Sequence, residues 1–352
     1  MTYIRLIIEL IILFFISKIT FVFLIKNSFQ NKWVDKPNDP RKIHNKIIPN
    51  TAGLIFMPFV LVSILPTIKF FGASNVQILS VGFSYLFFVL MGWIDDRRIL
   101  NFRVRLLLQI SIVIINLTVT GWGMPQFLKE FYIYGILPEP FTYIFLSLFL
   151  VGAMNAINWW DGVNGNLGFW ILNFSIVLFF ILPPELLDAW NFLFIITIIF
   201  LKFNYPIAKI FMGDVGSMPI GFILSYLTLQ ALQFKNFNAV LSFDFNPYMM
   251  LTLVWTLPFF DMIRLVVFRY ANKVSPALAD KNHFHHYFHN IFKNKGIFIP
   301  IILYVIINLT GFILIDNIWI GIILSLSLYL TAFWVINLIG HRLEPITSFP
   351  KN

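Results

Sequence analysis

Apolar runs of about twenty residues, repeated from one end of the chain to the other, most restrict what it can fold into. A run of that length crosses the hydrocarbon core of a bilayer as a helix, the form that satisfies its own backbone polar groups in lipid. Eleven runs are read, at roughly 4–25, 51–67, 76–94, 106–122, 141–158, 167–183, 190–203, 218–233, 247–264, 298–315 and 318–338. The 352-residue sequence is 59% hydrophobic and 12% charged, with 42 Phe, more apolar surface than a soluble protein of this length can hide. The expected fold is an all-α polytopic integral membrane protein of about eleven transmembrane helices, a single domain over 1–352. The first run lacks a small-residue cleavage site after it and reads as a retained span. There is no Cys, which excludes disulfides and thiolate metal sites.

Charge then assigns sides. The loops at 26–50, 95–105, 159–166, 204–217 and 265–297, with the C-terminal tail and the span ends at Lys202 and Arg264, hold 20 of the 25 Lys and Arg. The opposite side, with the N-terminus, holds Arg5, Lys69, Lys129 and Lys235, and Lys18 lies inside the first run. The positive-inside rule makes the basic side cytoplasmic and the N-terminus extracytoplasmic. The basic side also collects all six His and eight of the eleven Asp: Asp35, Asp39, Asp95, Asp96, Asp161, Asp214, Asp261 and Asp280. A reaction site at the cytoplasmic interface follows.

Several stretches on that side carry chemistry. Phe211-Met212-Gly213-Asp214-Val215-Gly216-Ser217 sets a lone carboxylate between glycines beside a span, which suits a hard cation holding phosphate oxygens as well as it suits a helix cap. Residues 33–53 form a proline-punctuated loop with Lys36, Arg41, Lys42, His44 and Lys46, able to hold phosphate or simply to attract anionic lipid. Asp95 and Asp96 close the third span; adjacent helical side chains diverge by about 100°, so the two do not share one task. One of them can pair with Arg97, Arg98, Arg103 or Arg105. Asn155, Asn158 and Asp161 are three apart and share a broad helix face. Such amides can bond a nucleotide, or bond each other between helices. Asn204 precedes Asp214 by ten residues, and Asp261 and Arg264 have the spacing of a helix ion pair. Four His fall at 283–289, suited to phosphate, proton transfer or a transition metal; their spacing fits no usual zinc pattern, and the Asp-rich setting favours Mg²⁺.

Together these motifs resemble one family, the polyprenyl-phosphate N-acetylhexosamine-1-phosphate transferases of glycosyltransferase family 4. The likeness rests on Asp-x-Pro-Asn-x(2)-Arg-Lys-x-His at 35–44 and Asp95-Asp96. It continues through Asn-x(2)-Asn-x(2)-Asp-Gly at 155–162, Phe-Met-Gly-Asp-x-Gly-Ser at 211–217 and His-x-His-His at 283–286. The form of these motifs is similar to the branch that initiates polysaccharide, including O-antigen. The resemblance implies transfer of a sugar-1-phosphate (GlcNAc, QuiNAc or FucNAc) from a UDP-N-acetylhexosamine to undecaprenyl phosphate in the inner membrane, with release of UMP. It implies Mg²⁺ or Mn²⁺ held by Asp214, with Asp95, Asp96 and Asp161 as catalytic acids. It also implies Asn158 and Asn204 as nucleotide contacts, Lys46 and His283 as substrate-binding groups, and His285 and His286 as substrate-binding groups on the phosphate side. The partners are these two substrates and membrane lipid, with no nucleic acid; a homodimer is compatible with the sequence.

Two positions depart from the family pattern. Asn164 stands where a second Asp is usual, and Asn50-Thr51-Ala52 replaces a more glycine-rich run. Two routes stay open for the acids: deprotonation of the lipid phosphate by Asp95, or a covalent intermediate on an Asp. A secondary transporter with a metal-binding loop is the rival class, but it wants acids near the bilayer midplane, and here they gather at one interface.

The charge asymmetry makes a topological prediction. Single cysteines at Asn101 and Asn236, in a chain that otherwise has none, should label from opposite faces of the membrane. Labelling of both from one face would sink the eleven-span arrangement.

Overall fold

A computed structural model describes residues 2–37, 45–121, 139–183, 186–232, 247–276, 282–313 and 318–341. The expectations for Asp39, Arg41, Lys42, His44, Lys129, Lys235, Asn236, Asp280 and Lys281 lie outside the described residues. Among the described residues the chain is helical apart from one short ribbon. Helix α1 spans Thr2–Gln30, and strands β1 (Val34–Asp35) and β2 (Ile48–Pro49) pair antiparallel, with Val34 opposite Pro49. Then follow α2 (Ala52–Phe70), α3 (Asn75–Asp95), α4 (Phe102–Thr120), α5 (Glu139–Trp160), α6 (Asn166–Ile181) and α7 (Leu187–Asn204). The last are α8 (Asp214–Leu232), α9 (Pro247–Leu253), α10 (Thr256–Ala271), α11 (Phe284–Phe292), α12 (Phe298–Ile313) and α13 (Ile318–His341).

Every one of the eleven expected spans meets an apolar helical segment. Eight are long and apolar enough to cross a membrane, α9 and α10 together forming the one at Met249–Ala271. The other three, at Asn166–Ile181, Trp190–Asn204 and Lys295–Thr310, are shorter. Sixteen residues in α6 rise only about 24 Å. That helix stops where Leu182 turns extended, as a residue before proline prefers. The ninth span outruns its expected end at 264 and continues to Ala271, so Arg264 lies inside a helix rather than at its edge.

Helix α8 is the axis of the bundle. All its residues from Val215 to Leu232 are buried, and α2, α3 and α5 pack around it. A helix apolar on every side belongs in a core. Its few polar side chains find partners there: Thr228 accepts from the Trp255 indole at 3.0 Å, and Gln230 donates to the Phe71 carbonyl at 3.1 Å. Peripheral helices turn large apolar side chains outward instead, among them Leu79, Phe83, Leu107 and Leu148. So much exposed apolar surface is a lipid-facing surface.

The α3–α8 crossing is tight at the end that matters for function. A Cβ on Gly92 would lie 2.2 Å from the carbonyl oxygen of Asp214. Gly82, nearly three turns back on α3, has only Leu65 Cδ1 at 4.0 Å. Gly92→Ala should therefore lower the melting temperature in detergent by the equivalent of roughly 1–3 kcal/mol of overpacking. Gly82→Ala should leave it unchanged or slightly raised. Equal melting temperatures for the two variants would contradict this crossing.

Candidate active site

The loop before α8 is stitched to the start of α2. Phe211 N donates to Pro49 O at 2.7 Å, and Ala52 N and Gly53 N donate to the carbonyls of Phe211 and Met212, each at 3.1 Å. Gly213 turns the chain with φ 73°. A side chain there would meet Asn50 O at 2.3 Å and Asp96 Oδ2 at 2.7 Å, so only glycine fits.

The end of α3 docks on the start of α8. Asp96 Oδ1 accepts from Asp214 N at 3.2 Å and Oδ2 from Val215 N at 3.0 Å, which caps α8 from another helix. Asn50 Nδ2 also donates to Asp96 Oδ1, at 3.1 Å, and Asn50 Oδ1 accepts from Arg97 Nη1 at 3.2 Å. The unusual Asn50 thus ties the ribbon to the acidic pair. Arg97 lies over Trp93, 4.0 Å from the ring centre, with Trp33 at 5.7 Å.

Asp95 points elsewhere, as the angular argument requires. Its Oδ1 accepts from Leu100 N at 2.6 Å and its Oδ2 from Arg105 Nη1 at 2.9 Å. The same Arg105 nitrogen lies 3.6 Å from Asp214 Oδ2, so one guanidinium serves two carboxylates. Asp214 Oδ1 accepts from Asn158 Nδ2 at 2.7 Å, and that amide also donates to Ser217 Oγ at 2.9 Å. Asn155 plays the bland part: its amide donates to Gln109 Oε1 and to Val151 O, both at 2.8 Å, joining α5 to α4.

Burial first, and then the charge of Asp214, pushes the carboxyls of Asp96 and Asp161 well above the usual range. Acids crowded beside one guanidinium fit a hard cation. Mg²⁺ uses one or two carboxylates and completes its shell with water and substrate phosphate, so it needs no full cage of protein ligands. The donor set at Asp214 has that chemistry.

The histidines form a second cluster across the Asp161 loop. Trp159 meets His283 edge-on at 5.8 Å, and Trp160 meets His285 edge-on at 5.7 Å. His283, His285 and His286 are buried; burial, with His286 and His283 beside it, drives His285 well below the ordinary imidazole range. Neither ring nitrogen of His285 has a hydrogen-bond partner. Ligand atoms of Asp261, His283 and His285 all lie within 4.8 Å of one another, a grouping that the sequence spacing of the histidines does not reveal.

Two asparagines clamp the remaining loops. Asn204 Oδ1 accepts from Gly165 N at 2.6 Å and its Nδ2 donates to Ile210 O at 2.9 Å. Asn164 Nδ2 donates to Pro206 O at 3.1 Å. The departure at Asn164 therefore has a structural use: an aspartate could not make that bond and would set a carboxylate against a carbonyl. Lys46 is exposed just before β2. Asn50, Arg105, Ser217 and Tyr329 were missing from the expected site. Ser217 is flagged by its motif, whereas Tyr329 is a single phenol in an apolar run.

The glycosyl transferase family 4 profile matches residues 78–232, which include the acidic pair, the asparagine stretch and Asp214. An undecaprenyl-phosphate alpha-N-acetylglucosaminyl 1-phosphate transferase of Thermotoga maritima is 30% identical over 304 residues, covering 86% of this chain and 88% of that protein. One from Yersinia pestis is 30% identical over 288 residues, covering 79% and 75%. A probable undecaprenyl-phosphate N-acetylglucosaminyl 1-phosphate transferase of Bacillus subtilis is 27% identical over 332 residues, covering 90% and 88%. The chain belongs to this family of polyprenyl-phosphate N-acetylhexosamine-1-phosphate transferases. As a member of the family it is a multi-pass membrane enzyme.

The two adjacent acids of this transferase should fail differently. Asp96→Asn sets an amide N–H against donors that now meet a carboxylate, and should cost about 1–3 kcal/mol, read as a lower melting temperature. Asp95→Asn keeps an oxygen for Leu100 N and should lose turnover with a smaller loss of stability. Matching kinetic and stability defects would contradict this division.

Proposed function

We propose that the enzyme transfers an N-acetylhexosamine-1-phosphate, N-acetylglucosamine-1-phosphate first among the candidates, from its UDP-sugar to undecaprenyl phosphate. UMP leaves, and the lipid-linked sugar starts a cell-surface polysaccharide such as O-antigen. The observation that carries this reading is the convergence of Asp95, Asp96, Asn158 and Arg105 on Asp214 at one end of the apolar helices. A transporter would gather its charges at mid-depth. The basic loops at the same end support a cytoplasmic site in the inner membrane, open both to a soluble nucleotide and to a lipid held in the leaflet.

Phosphoryl transfer asks chiefly for positioning and charge neutralisation. Mg²⁺ would be held by Asp214, with Asp95 beside it, and would supply neutralisation of phosphate charge when bound. Asn158 fixes the orientation of the Asp214 carboxylate. Arg105 lies where it can turn from Asp95 and Asp214 towards a phosphate oxygen. In this reading Asp95, bonded to Arg105, takes the proton of an incoming lipid phosphate, while Asp96 holds the start of α8. The neutral imidazole of His285 offers a hydrogen bond to the diphosphate side. No bond of the reaction requires a cysteine or a redox group.

The test is a panel of UDP-amino sugars supplied with undecaprenyl phosphate in membranes, with the lipid product identified by mass. UMP should appear with one lipid-linked N-acetylhexosamine phosphate. EDTA should silence the enzyme and Mg²⁺ or Mn²⁺ restore it. Asp214→Asn should insert normally and lose transfer by at least about a hundredfold. Near-parental turnover of that variant would remove Asp214 from its role.

A further inference from the structure

Asp261 on α10 is 2% exposed, yet both of its oxygens are engaged. Oδ1 accepts from Arg264 Nη2 at 2.7 Å, from Phe284 N at 3.0 Å and from the Tyr329 hydroxyl at 3.1 Å. Oδ2 faces His283 Nδ1 at 3.2 Å. Arg264 Nε in turn donates to the Tyr329 oxygen at 2.8 Å. One carboxylate therefore joins α10, α13 and the first turn of α11. The helix ion pair expected from the sequence would need only the first of these contacts. A buried ion pair adds little stability over apolar residues of the same volume, so the arrangement calls for another use.

Two uses compete. Asp261, His283 and His285 could hold a transition metal, since their ligand atoms cluster. A metal at Oδ2, however, would lie close to the Arg264 guanidinium and would need a bare Nδ1 on His283. The second use fits the contacts as they stand. A carboxylate accepts only, so the proton of the pair belongs on His283 Nδ1, which leaves Nε2 as the ring nitrogen that the carboxylate does not engage. The bond from Phe284 N makes the same carboxylate an N-terminal cap for α11, the helix that carries His285.

We propose that Asp261, locked by Arg264 and Tyr329, is a positioning residue that fixes His283 in its Nδ1–H form and aims the N-terminus of α11 at the phosphate side of the substrate. The proposal rests on the transferase reading above, in which these histidines meet the diphosphate. Asp261→Asn would turn an amide donor towards Nδ1, force the opposite tautomer, and leave the packing nearly unchanged.

The test is a double-mutant cycle in full-length enzyme in membranes, with Asp261→Asn, His283→Gln and the pair together. Asp261→Asn should lower kcat by about ten- to a hundredfold, as loss of an outer-shell partner of a working histidine does. In the His283→Gln background the same change should cost less than about twofold. An equal factor in both backgrounds would mean a merely structural residue and overturn the proposal, as would a His283→Gln enzyme with parental kcat. Tyr329→Phe removes one donor of the lock but keeps the Oδ2–His283 contact, and should lower kcat by a smaller factor than Asp261→Asn; an equal or larger loss would overturn the assignment to His283. If Asp261→Asn fails to accumulate, ¹⁵N-histidine spectra of the parent protein decide the matter, with His283 assigned by its loss in His283→Gln. An Nδ1–H signal supports the anchor, and an Nε2–H signal or stoichiometric bound zinc overturns it. Failure of the parent to transfer any sugar would strike the transferase reading instead, while the spectra still test the anchor.

Discussion

A helix whose first turn is crowded by the ends of its neighbours must find protein acceptors for the N–H groups that those neighbours cover. For α8 the acceptor is the carboxylate of Asp96, which takes the N–H groups of Asp214 and Val215. The rest of the site depends on that bond pair. It sets the end of α3 on the start of α8, at the crossing where Gly92 lets the backbones meet. It draws in Asn50, and with it the ribbon and the start of α2. It leaves the Asp214 side chain facing Asn158 on α5 and Arg105 on α4. Five helix ends, those of α2, α3, α4, α5 and α8, thereby meet around one capping contact.

Charge is distributed unevenly around that contact. Arg97 stacks on Trp93 and bonds Asn50 beside Asp96, while Arg105 is the guanidinium shared by Asp95 and Asp214. Burial, and then the charge of Asp214, raises the carboxyls of Asp96 and Asp161. Perturbed carboxyls of this kind gather at functional sites as well as in structural ion networks.

Hydropathy made the helices legible, because lipid tolerates few alternatives to a twenty-residue apolar helix. Alternation of loops then showed which acids share one end. What sequence spacing left open was the partner of each group. Asp95 and Asp96 diverge as helix geometry requires, but the choice of Arg105 over Arg98 or Arg103 depends on how α4 is rotated. Asn155 and Asn158 look equivalent at a spacing of three, yet one faces Gln109 in the interior and the other faces Asp214. Arg264 reads as an interfacial charge and is instead satisfied inside the bundle, by Asp261 and by a tyrosine sixty-five positions away. Asn164 reads as a lost acid, and in the fold its amide donates to Pro206 O.

The Asp261–Arg264 pair also bears on how the chain is made. Synthesis runs from the N-terminus, so α10 leaves the ribosome before α11 and well before α13. At that moment the two charges have only each other, three residues apart on one helix, and a neutralised pair is cheaper to admit to a bilayer than either charge alone. Phe284 then arrives to cap against Asp261, and the hydroxyl of Tyr329 comes last, on the final helix. The closing span thus completes the solvation of a charge inserted long before it. A nascent chain that stops short of α13 lacks the Tyr329 hydroxyl, one of the donors that solvate the Asp261 carboxylate in the finished bundle.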